Sequence, residues 1–374
     1  MKKVTFLRNF QEDGRISMEV YAANISKYLQ QTEVRDFSFA EYRPELSGWT
    51  RTLPEKFNLK MRLARYVDYP LQSRRIDSDV FHIMDHGYAH LLQVLKPERV
   101  VVTVHDIIPL LAGRGLMPGV SMKRRNWLSE YSAKFLKTAG KIIAISENSK
   151  KTLVEHIGCD SERIKVIYYG VNKIFRPLED SERRRAKEAL GLPGGVQKLV
   201  LITGQEFYKN QETSLRVMEK LYSSYRGDIY LVRLGRLTNE WSDIVRNSLF
   251  KEQVINIDYL PNEKMPLLYN AVDCLLFPSW YEGFGCPPVE AMACGTPAVT
   301  SNIASLPEAV GNAGLMREPG DVDGLAADVD RLLSDSEFYE KRVALSLEHA
   351  GRFDWASNVS EVVKVYQELL GNKL

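Results

Sequence analysis

Short runs of consecutive apolar, β-branched residues recur along this chain. Between them lie longer stretches in which apolar residues return every three or four positions. The first set of runs is Val4–Leu7, Val80–Met84, Val100–Val104, Ile142–Ile145 and Ile164–Tyr168. A second set comprises Leu199–Thr203, Ile229–Leu234, Val254–Ile257, Cys274–Phe277 and Ala298–Thr300. Apolar residues at successive rather than alternate positions predict strands covered on both faces, as in a parallel sheet. The intervening stretches predict helices. One runs over Glu147–Ile157, with Ser146 as its cap and Gly158 as its stop. Strand–helix alternation over both halves predicts an α/β chain of two doubly wound domains. The polar stretch Leu178–Gln197 carries the charge run SERRRAKE and then GLPGG, which no strand tolerates. It divides the chain into domains spanning 1–180 and 197–352. Asp354–Leu370, within the closing 354–374, predicts a last amphipathic helix.

Composition changes this picture in four places. A length of 374 residues exceeds what one hydrophobic core usually supports, which agrees with two domains. A net charge of +2 gives no reason to expect nucleic acid as a partner. No apolar run reaches the roughly 18–20 residues of a spanning helix, and MKKVTFLRNF reads as a first strand rather than a leader. Cys159, Cys274, Cys286 and Cys294 show no paired spacing, so the expectation is a reducing, cytoplasmic chain with no zinc site and no disulfides.

In open α/β sheets, ligands bind beyond the carboxyl ends of the strands. The unusual residues of this chain gather there. NFQEDGRIS, with Gly14 and Arg15, follows the first strand; His105-Asp106 follows Val100–Val104; Gly204-Gln205-Glu206-Phe207-Tyr208-Lys209-Asn210 follows Leu199–Thr203. SWYEGFGCPPVEAMACGTPAV follows Cys274–Phe277. In that last stretch Gly283 and Gly285 permit close backbone approach. Pro287 and Pro288 fit a helix's first turn, where N–H groups lack partners anyway. A helix N-terminus there is an anion site. Glu282 and Glu290, acceptors when ionised, would hold hydroxyls beside it. An anion site flanked by two hydroxyl-binding carboxylates describes a sugar–diphosphate–ribose ligand.

The stretch resembles the E-x7-E motif of retaining glycosyltransferases of glycosyltransferase family 4. The likeness extends over nearly the whole chain: AISENSKKTLVEHIG, IKVIYYGVNKIFRP, LPEAVGNAGLMREPGDVDGLA and FDWASNVSEVVKVYQELL are similar to segments of that family in the same order. It implies the GT-B fold: two doubly wound, Rossmann-like domains facing across a cleft, acceptor in the first and donor in the second, with the terminal helix crossing back to the N-terminal domain. It further implies that Glu290 binds the ribose, Glu282 the transferred sugar, and the amides of Phe284, Gly285 and Cys286 the diphosphate. Lys209 would neutralise that diphosphate, Gly204 and Gln205 would line it, His105 would lie near the reacting carbon, and Gly14 and Arg15 near the phosphate or acceptor. No metal or other cofactor is implied. Two departures stand out: Gln205 occupies a position that is often basic, and only Gly14 remains of a frequently paired glycine.

The expected partners are a nucleotide-sugar donor, with GDP-mannose the first candidate, and a glycan or lipid-linked acceptor. Asp77-Ser-Asp79 and Asp321-Val-Asp323 look like metal-binding pairs but read as turn and helix caps. Residues 43–75 hold eight Lys/Arg among Trp49, Phe57, Leu59, Leu63, Tyr66 and Tyr69, and 122–141 add six more. Such a surface suits peripheral contact with the inner face of a membrane, or equally a solvated face. Two rival classes are a catalytically silent nucleotide-sugar binder and an NAD-dependent oxidoreductase. The second needs a G-x-G-x-x-G after an early strand, which is missing.

Overall fold

Twelve strands form two six-stranded parallel sheets in a computed structural model that describes residues 1–32, 34–54, 59–117, 127–195, 197–225 and 227–371. The first sheet holds β1 (Lys2–Leu7), β2 (Phe37–Tyr42), β3 (Val80–Ile83), β4 (Val100–Val104), β5 (Lys141–Ala144) and β6 (Ile164–Val166), in the order β2-β1-β3-β4-β5-β6. The second holds β7 (Lys198–Thr203), β8 (Ile229–Leu234), β9 (Val254–Ile257), β10 (Cys274–Phe277), β11 (Ala298–Ser301) and β12 (Leu315–Arg317), in the order β12-β11-β10-β7-β8-β9. The central strands β4 and β10 are buried at every position, which is why their sequences are apolar without alternation. Both strands that the apolar pattern misses, β2 and β12, are sheet edges. Neither needs two apolar faces, and β12 is three residues long with no buried position.

Each sheet belongs to its own unit. One unit holds Met1–Leu116, Met122–Gly170 and Trp355–Leu374; the other holds Met117–Ser121 and Val171–Asp354. The chain thus changes unit at Gly170–Val171, ahead of the polar stretch read as the divider. That stretch folds as helix Asp180–Ala189 on the second unit. Its start is closed by a reciprocal cap between Glu179 and Glu182, Ala186 is buried, and Arg183 Nε donates to Asn270 O at 3.0 Å. The charge run is therefore the solvent face of a packed helix.

In the first unit, Tyr21 and Ile25 of helix Ile16–Gln31 pack with Trp355, Val359, Val362 and Tyr366 of helix Trp355–Leu369 over Val4, Val80 and Val101. His82 of β3 ties the terminal helix down: its Nδ1 lies 2.7 Å from Tyr366 Oη and its Nε2 lies 2.7 Å from Thr103 Oγ1. Burial pulls this imidazole down to about 3, so it is a neutral hydrogen-bonding post. In the second unit, Leu215, Met218, Leu325 and Val329 cover Val200, Ile202, Leu276 and Val299. Full burial of each such side chain is worth about 1.5–3 kcal/mol. The predicted cap at Ser146 forms, accepting from Ser149 N at 3.0 Å, and the helix stops at left-handed Gly158. Among the described residues, no helix is long and apolar enough to cross a membrane.

Candidate active site

β7 and β10 are sheet neighbours although two strands separate them in sequence. Chain direction diverges there, so the loops leaving them open a crevice at their carboxyl ends. These loops are residues 204–210 and 278–285, the two that carry the motif residues. They are stitched together by backbone and amide contacts. Trp280 N donates to Tyr208 O at 2.8 Å. Asn210, held at φ 53°, donates through Nδ2 to Pro278 O at 2.9 Å and Pro319 O at 2.8 Å.

Across this seam Lys209 Nζ lies 2.8 Å from Glu282 Oε1, with both side chains about one-tenth exposed. The ammonium also sits 4.6 Å from the centre of the Phe277 ring. Gly204 makes room for it. At φ 89°, a Cβ there would stand 2.8 Å from both Cγ and Cε of Lys209. Gln205, where a second cation would often stand, is exposed, and its N–H donates to Glu206 Oε2 at 3.1 Å. Arg233 is no substitute: its guanidinium is buried, bound to Gly235 O at 2.6 Å and Asn256 Oδ1 at 2.7 Å, and stacked on Trp241.

Gly285 starts helix Cys286–Ala293 at φ 118°, where a Cβ would press to 3.0 Å from Leu306 Cδ2. Pro287 and Pro288 occupy the first turn, as expected. Ser305 fixes the loop ahead of the helix, its Oγ lying 3.0 Å from Glu282 O and 2.8 Å from Phe284 O. Burial pushes the Cys286 thiol up, which keeps it protonated and unsuited to nucleophilic chemistry. One helical turn further in, Glu290 accepts from Tyr269 Oη at 3.0 Å. Burial raises its carboxyl to about 7, against the stabilising bond from Tyr269. Glu282, Glu290, Lys209, Gly204, Phe284, Gly285 and Cys286 thus share one crevice, with Gln205 at its exposed margin. Asn210, Ser305 and Tyr269 belong to the same construction and were not read from the sequence. Only Asn210, a polar residue that tolerates a left-handed turn directly after the lysine, gave any signal.

The remaining candidates belong to the first unit. Gly14 ends the turn Gln11–Asp13 at φ 62°. Arg15 Nη1 bonds Asp85 Oδ2 at 2.9 Å. His105 is 3 % exposed and uses both ring nitrogens: Nε2 donates to Met84 O at 2.8 Å and Nδ1 accepts from Tyr169 Oη at 2.5 Å. Burial pulls its imidazole below the ordinary value. With both nitrogens engaged, His105 ties the end of β4 to Met84, just beyond β3. The aspartate pairs behave as caps and ties. Asp321 accepts from Gly324 N at 2.8 Å and Asp79 from Lys3 N at 2.9 Å, while Asp323 pairs with Lys220. Of the basic surface, residues 56, 57 and 122–126 lie outside the described residues. Arg65, counted in it, is not a free surface charge but an ion-paired group, 3.4 Å from Asp13.

Comparison with known proteins bears on the whole chain. The family model described as Glycosyltransferase Family 4 matches residues 18–173, and that described as Glycosyl transferases group 1 matches residues 182–346. The chain is 29 % identical over 278 residues to O-antigen chain mannosyltransferase B of Escherichia coli, covering 73 % of this chain and 71 % of that one. It is 29 % identical over 346 residues to MMP alpha-(1->4)-mannosyltransferase of Mycolicibacterium hassiacum, covering 87 % and 78 %. Against the serotype-specific mannosyltransferase WbdA of Escherichia coli it is 28 % identical and spans about a third of that protein, 34 % of its length. Among solved structures, sucrose-phosphate synthase of Thermosynechococcus elongatus superposes with a TM-score of 0.78 at 17 % identity over 100 % of both chains. Anabaena Alr3699/HepE in complex with UDP-glucose gives 0.75 at 16 % identity over 98 % and 100 %. Both share the fold. The two family matches, the two parallel sheets and the paired carboxylates at the second switch point place this chain in glycosyltransferase family 4, as a glycosyltransferase of GT-B fold.

Proposed function

We propose that the protein is a retaining hexosyltransferase that moves a mannosyl group from a nucleoside-diphosphate sugar, GDP-mannose first, to a glycan or lipid-linked acceptor during glycan assembly. The observation that carries the reading is Lys209 and Glu282 in contact at the mouth of the helix that bears Glu290. A cation, a helix N-terminus and two carboxylates match the diphosphate, the transferred sugar and the ribose in that order. The relatives named as mannosyltransferases support mannose as the sugar.

In this reading Glu290 accepts the ribose hydroxyls, and the backbone at Phe284–Cys286 holds the diphosphate. Lys209 leaves Glu282 for the leaving group as charge develops on it, which frees Glu282 to accept hydroxyls of the sugar. The leaving diphosphate takes the acceptor's proton on the face it departs from, so the anomeric configuration is kept. The charge of Lys209 and the helix dipole do the work a metal does elsewhere. No cofactor beyond the donor is needed. Peripheral contact with the inner face of an anionic membrane belongs to the same proposal. Exposed Trp49, Leu59, Val67 and Leu71 stand among exposed Arg43, Arg51, Arg62, Arg74 and Arg75, a mixed surface that suits lipid headgroups.

A thermal-shift panel of GDP, UDP, ADP, dTDP and NAD(H), followed by transfer with the stabilising donor, tests the donor. NMR of the new linkage tests the stereochemistry, and EDTA tests the metal. An inverted anomer overturns the retaining mechanism, and strict metal dependence overturns the lysine's role. Flotation with anionic liposomes at low salt, released by salt and weakened by Arg62→Glu, tests the membrane contact.

A further inference from the structure

Arg8, Arg15 and Arg65 of the first unit each meet a carboxylate. Arg8 bonds Glu19 Oε2 and Glu41 Oε2, both at 2.7 Å. The other two stand at a switch point of that unit, where β1 and β3 are sheet neighbours although β2 separates them in sequence. The loops leaving them meet at Asp85, which is fully buried. Asp85 accepts from Asn9 Nδ2 at 2.9 Å, Gly87 N at 2.8 Å and Arg15 Nη1 at 2.9 Å. Arg65, from the helical stretch Ala64–Asp68, donates to Gly87 O at 2.7 Å and lies 3.4 Å from Asp13 Oδ2.

Arg233 of the second unit does not. Residues 229, 231 and 233 share one face of β8. Ile229 and Leu231 on that face pack with Trp241 and Phe250 in the apolar core of the unit. Arg233 follows them in, 1 % exposed, with its guanidinium 4.6 Å from the centre of the Trp241 ring. Among the described residues its partners are all neutral. Nη1 donates to Gly235 O at 2.6 Å and Asn256 Oδ1 at 2.7 Å, and Nη2 donates to Arg236 O at 3.3 Å. Asp258 is the carboxylate that attracts it, but Asp258 Oδ1 is taken by Leu237 N at 3.3 Å and by Asn256 Nδ2. Burial pulls the guanidinium below its ordinary value against that attraction. Two N–H groups of the stacked pair are buried without a partner, Arg233 Nε and Trp241 Nε1, and Trp241 is 4 % exposed. Buried polar atoms are almost always satisfied, and a buried charge left unpaired costs stability. Both atoms are donors only. A water would satisfy them and leave the charge unbalanced, whereas an anion does both. Near-complete burial limits that anion to about the size of a water.

We propose that the carboxyl end of β8 carries a site for one small inorganic anion of chloride size, held by the guanidinium of Arg233 and the indole N–H of Trp241. The site does not depend on the transferase reading above. The test is thermal unfolding of the whole chain in sodium chloride and in sodium gluconate at equal ionic strength, without nucleotide. A ligand that binds only the folded state stabilises it according to its concentration over its dissociation constant. For a dissociation constant of about 10 mM, about 100 mM chloride raises Tm by about 3–6 °C over gluconate, and bromide acts alike. Trp241→Phe keeps a ring on the guanidinium but removes the N–H. It raises the chloride concentration that gives half the effect about tenfold. Exchanging Asn256→Asp together with Asp258→Asn moves one carboxylate onto Arg233 without altering the net charge. That variant, its folding confirmed by its own transition in gluconate, no longer distinguishes the two salts. Equal Tm in chloride and gluconate for the unaltered protein overturns the proposal. So does a chloride effect left unchanged in either variant, because the anion would then sit elsewhere, as at Lys209.

Discussion

The two switch points solve different problems with the same sheet geometry. In the second unit one ion pair, Lys209–Glu282, spans the seam between the loops, and the helix start behind it supplies further donors. In the first unit Arg15, Arg65, Asp13 and Asp85 form a closed network in which each charged group already has its opposite. A single pair can be opened by a ligand that offers the lysine a better partner. A closed network resists an ion and leaves only hydrogen-bonding edges for a ligand to use. The contrast teaches that charge count alone does not locate an anion site; what counts is whether a cation can be released from its present partner at modest cost.

The largest effect that would break this contrast is at Lys209. Arg233 is locked to Gly235 and Asn256, and Gln205 is uncharged, so among these neighbours no second cation backs the lysine. Charge on a leaving diphosphate grows as its bond to the sugar breaks, and a fixed cation is worth more there than in the ground state. Lys209→Ala is therefore expected to lose on the order of 10²–10³ in kcat, the usual cost of removing one such stabiliser. Gln205→Arg should restore part of it, and Lys209→Arg should keep part. Steady-state kinetics decide this. A Lys209→Ala enzyme within about threefold of the unaltered one would place the diphosphate elsewhere.

Next in size is Asp85→Asn. The carboxylate is buried and holds Arg15, Asn9 and Gly87 together. Its loss leaves Arg15 without a counter-charge, though that side chain remains one-third exposed. Stability should fall by about 2–3 kcal/mol, below the cost of breaking a fully buried pair. Denaturant unfolding followed by a probe in the first unit measures this. An unchanged midpoint would mean the network is not closed.

The difference between the two sites also explains what was legible in the sequence. The second site reads from the chain because Glu282, Gly285 and Glu290 lie within one strand–loop–helix stretch, with Lys209 in one other loop. The sheets read for the same reason: β4 and β10 are apolar at successive positions, and only the short or half-exposed edges β2 and β12 escaped. The first site read only in part, at Gly14 and Arg15. Its members come from Asp13-Gly14-Arg15, from Arg65 and from Asp85-His86-Gly87, stretches that only tertiary packing brings together. Arg65 in particular sat among surface arginines with nothing local to set it apart. His105 was legible by type and position at the end of β4, but nothing in a sequence shows the partners of its two ring nitrogens.

A smaller effect is expected at Glu290, and its sign depends on pH. The folded carboxyl is raised to about 7 from an ordinary 4.5, with burial as the main cause. The folded state therefore holds a proton that the unfolded chain has lost between these values. The stability this contributes is complete below about 4.5 and is lost as pH rises through 7. At pH 8 the ionised group costs up to about 3 kcal/mol, less in proportion to its partial exposure. Glu290→Gln should therefore raise Tm at pH 8 and leave it nearly unchanged at pH 4.5, while weakening nucleotide binding about tenfold through lost charged hydrogen bonds to the ribose. Calorimetry at the two pH values reads both halves. A variant that binds nucleotide as tightly as the unaltered protein would remove Glu290 from the site.

The smallest effect has an unusual direction. Glu282 neutralises Lys209 at 2.8 Å. A free nucleoside diphosphate must take the lysine from that carboxylate and then tolerate the carboxylate nearby. Glu282→Gln removes both penalties, so free nucleotide should bind a few-fold tighter, in line with the modest worth of a partly exposed pair. The sugar-bearing donor gains the same relief but loses an ionised acceptor for its hydroxyls, a bond worth about 1.5–3 kcal/mol. The ratio of the two affinities should therefore shift toward free nucleotide, and turnover should fall while product release slows. Isothermal titration of nucleotide and of a non-hydrolysed donor analogue against Glu282→Gln measures the ratio directly. Equal weakening of both ligands would mean that Glu282 touches the nucleotide itself, and that the pair with Lys209 is part of the scaffold rather than the bond a donor must open.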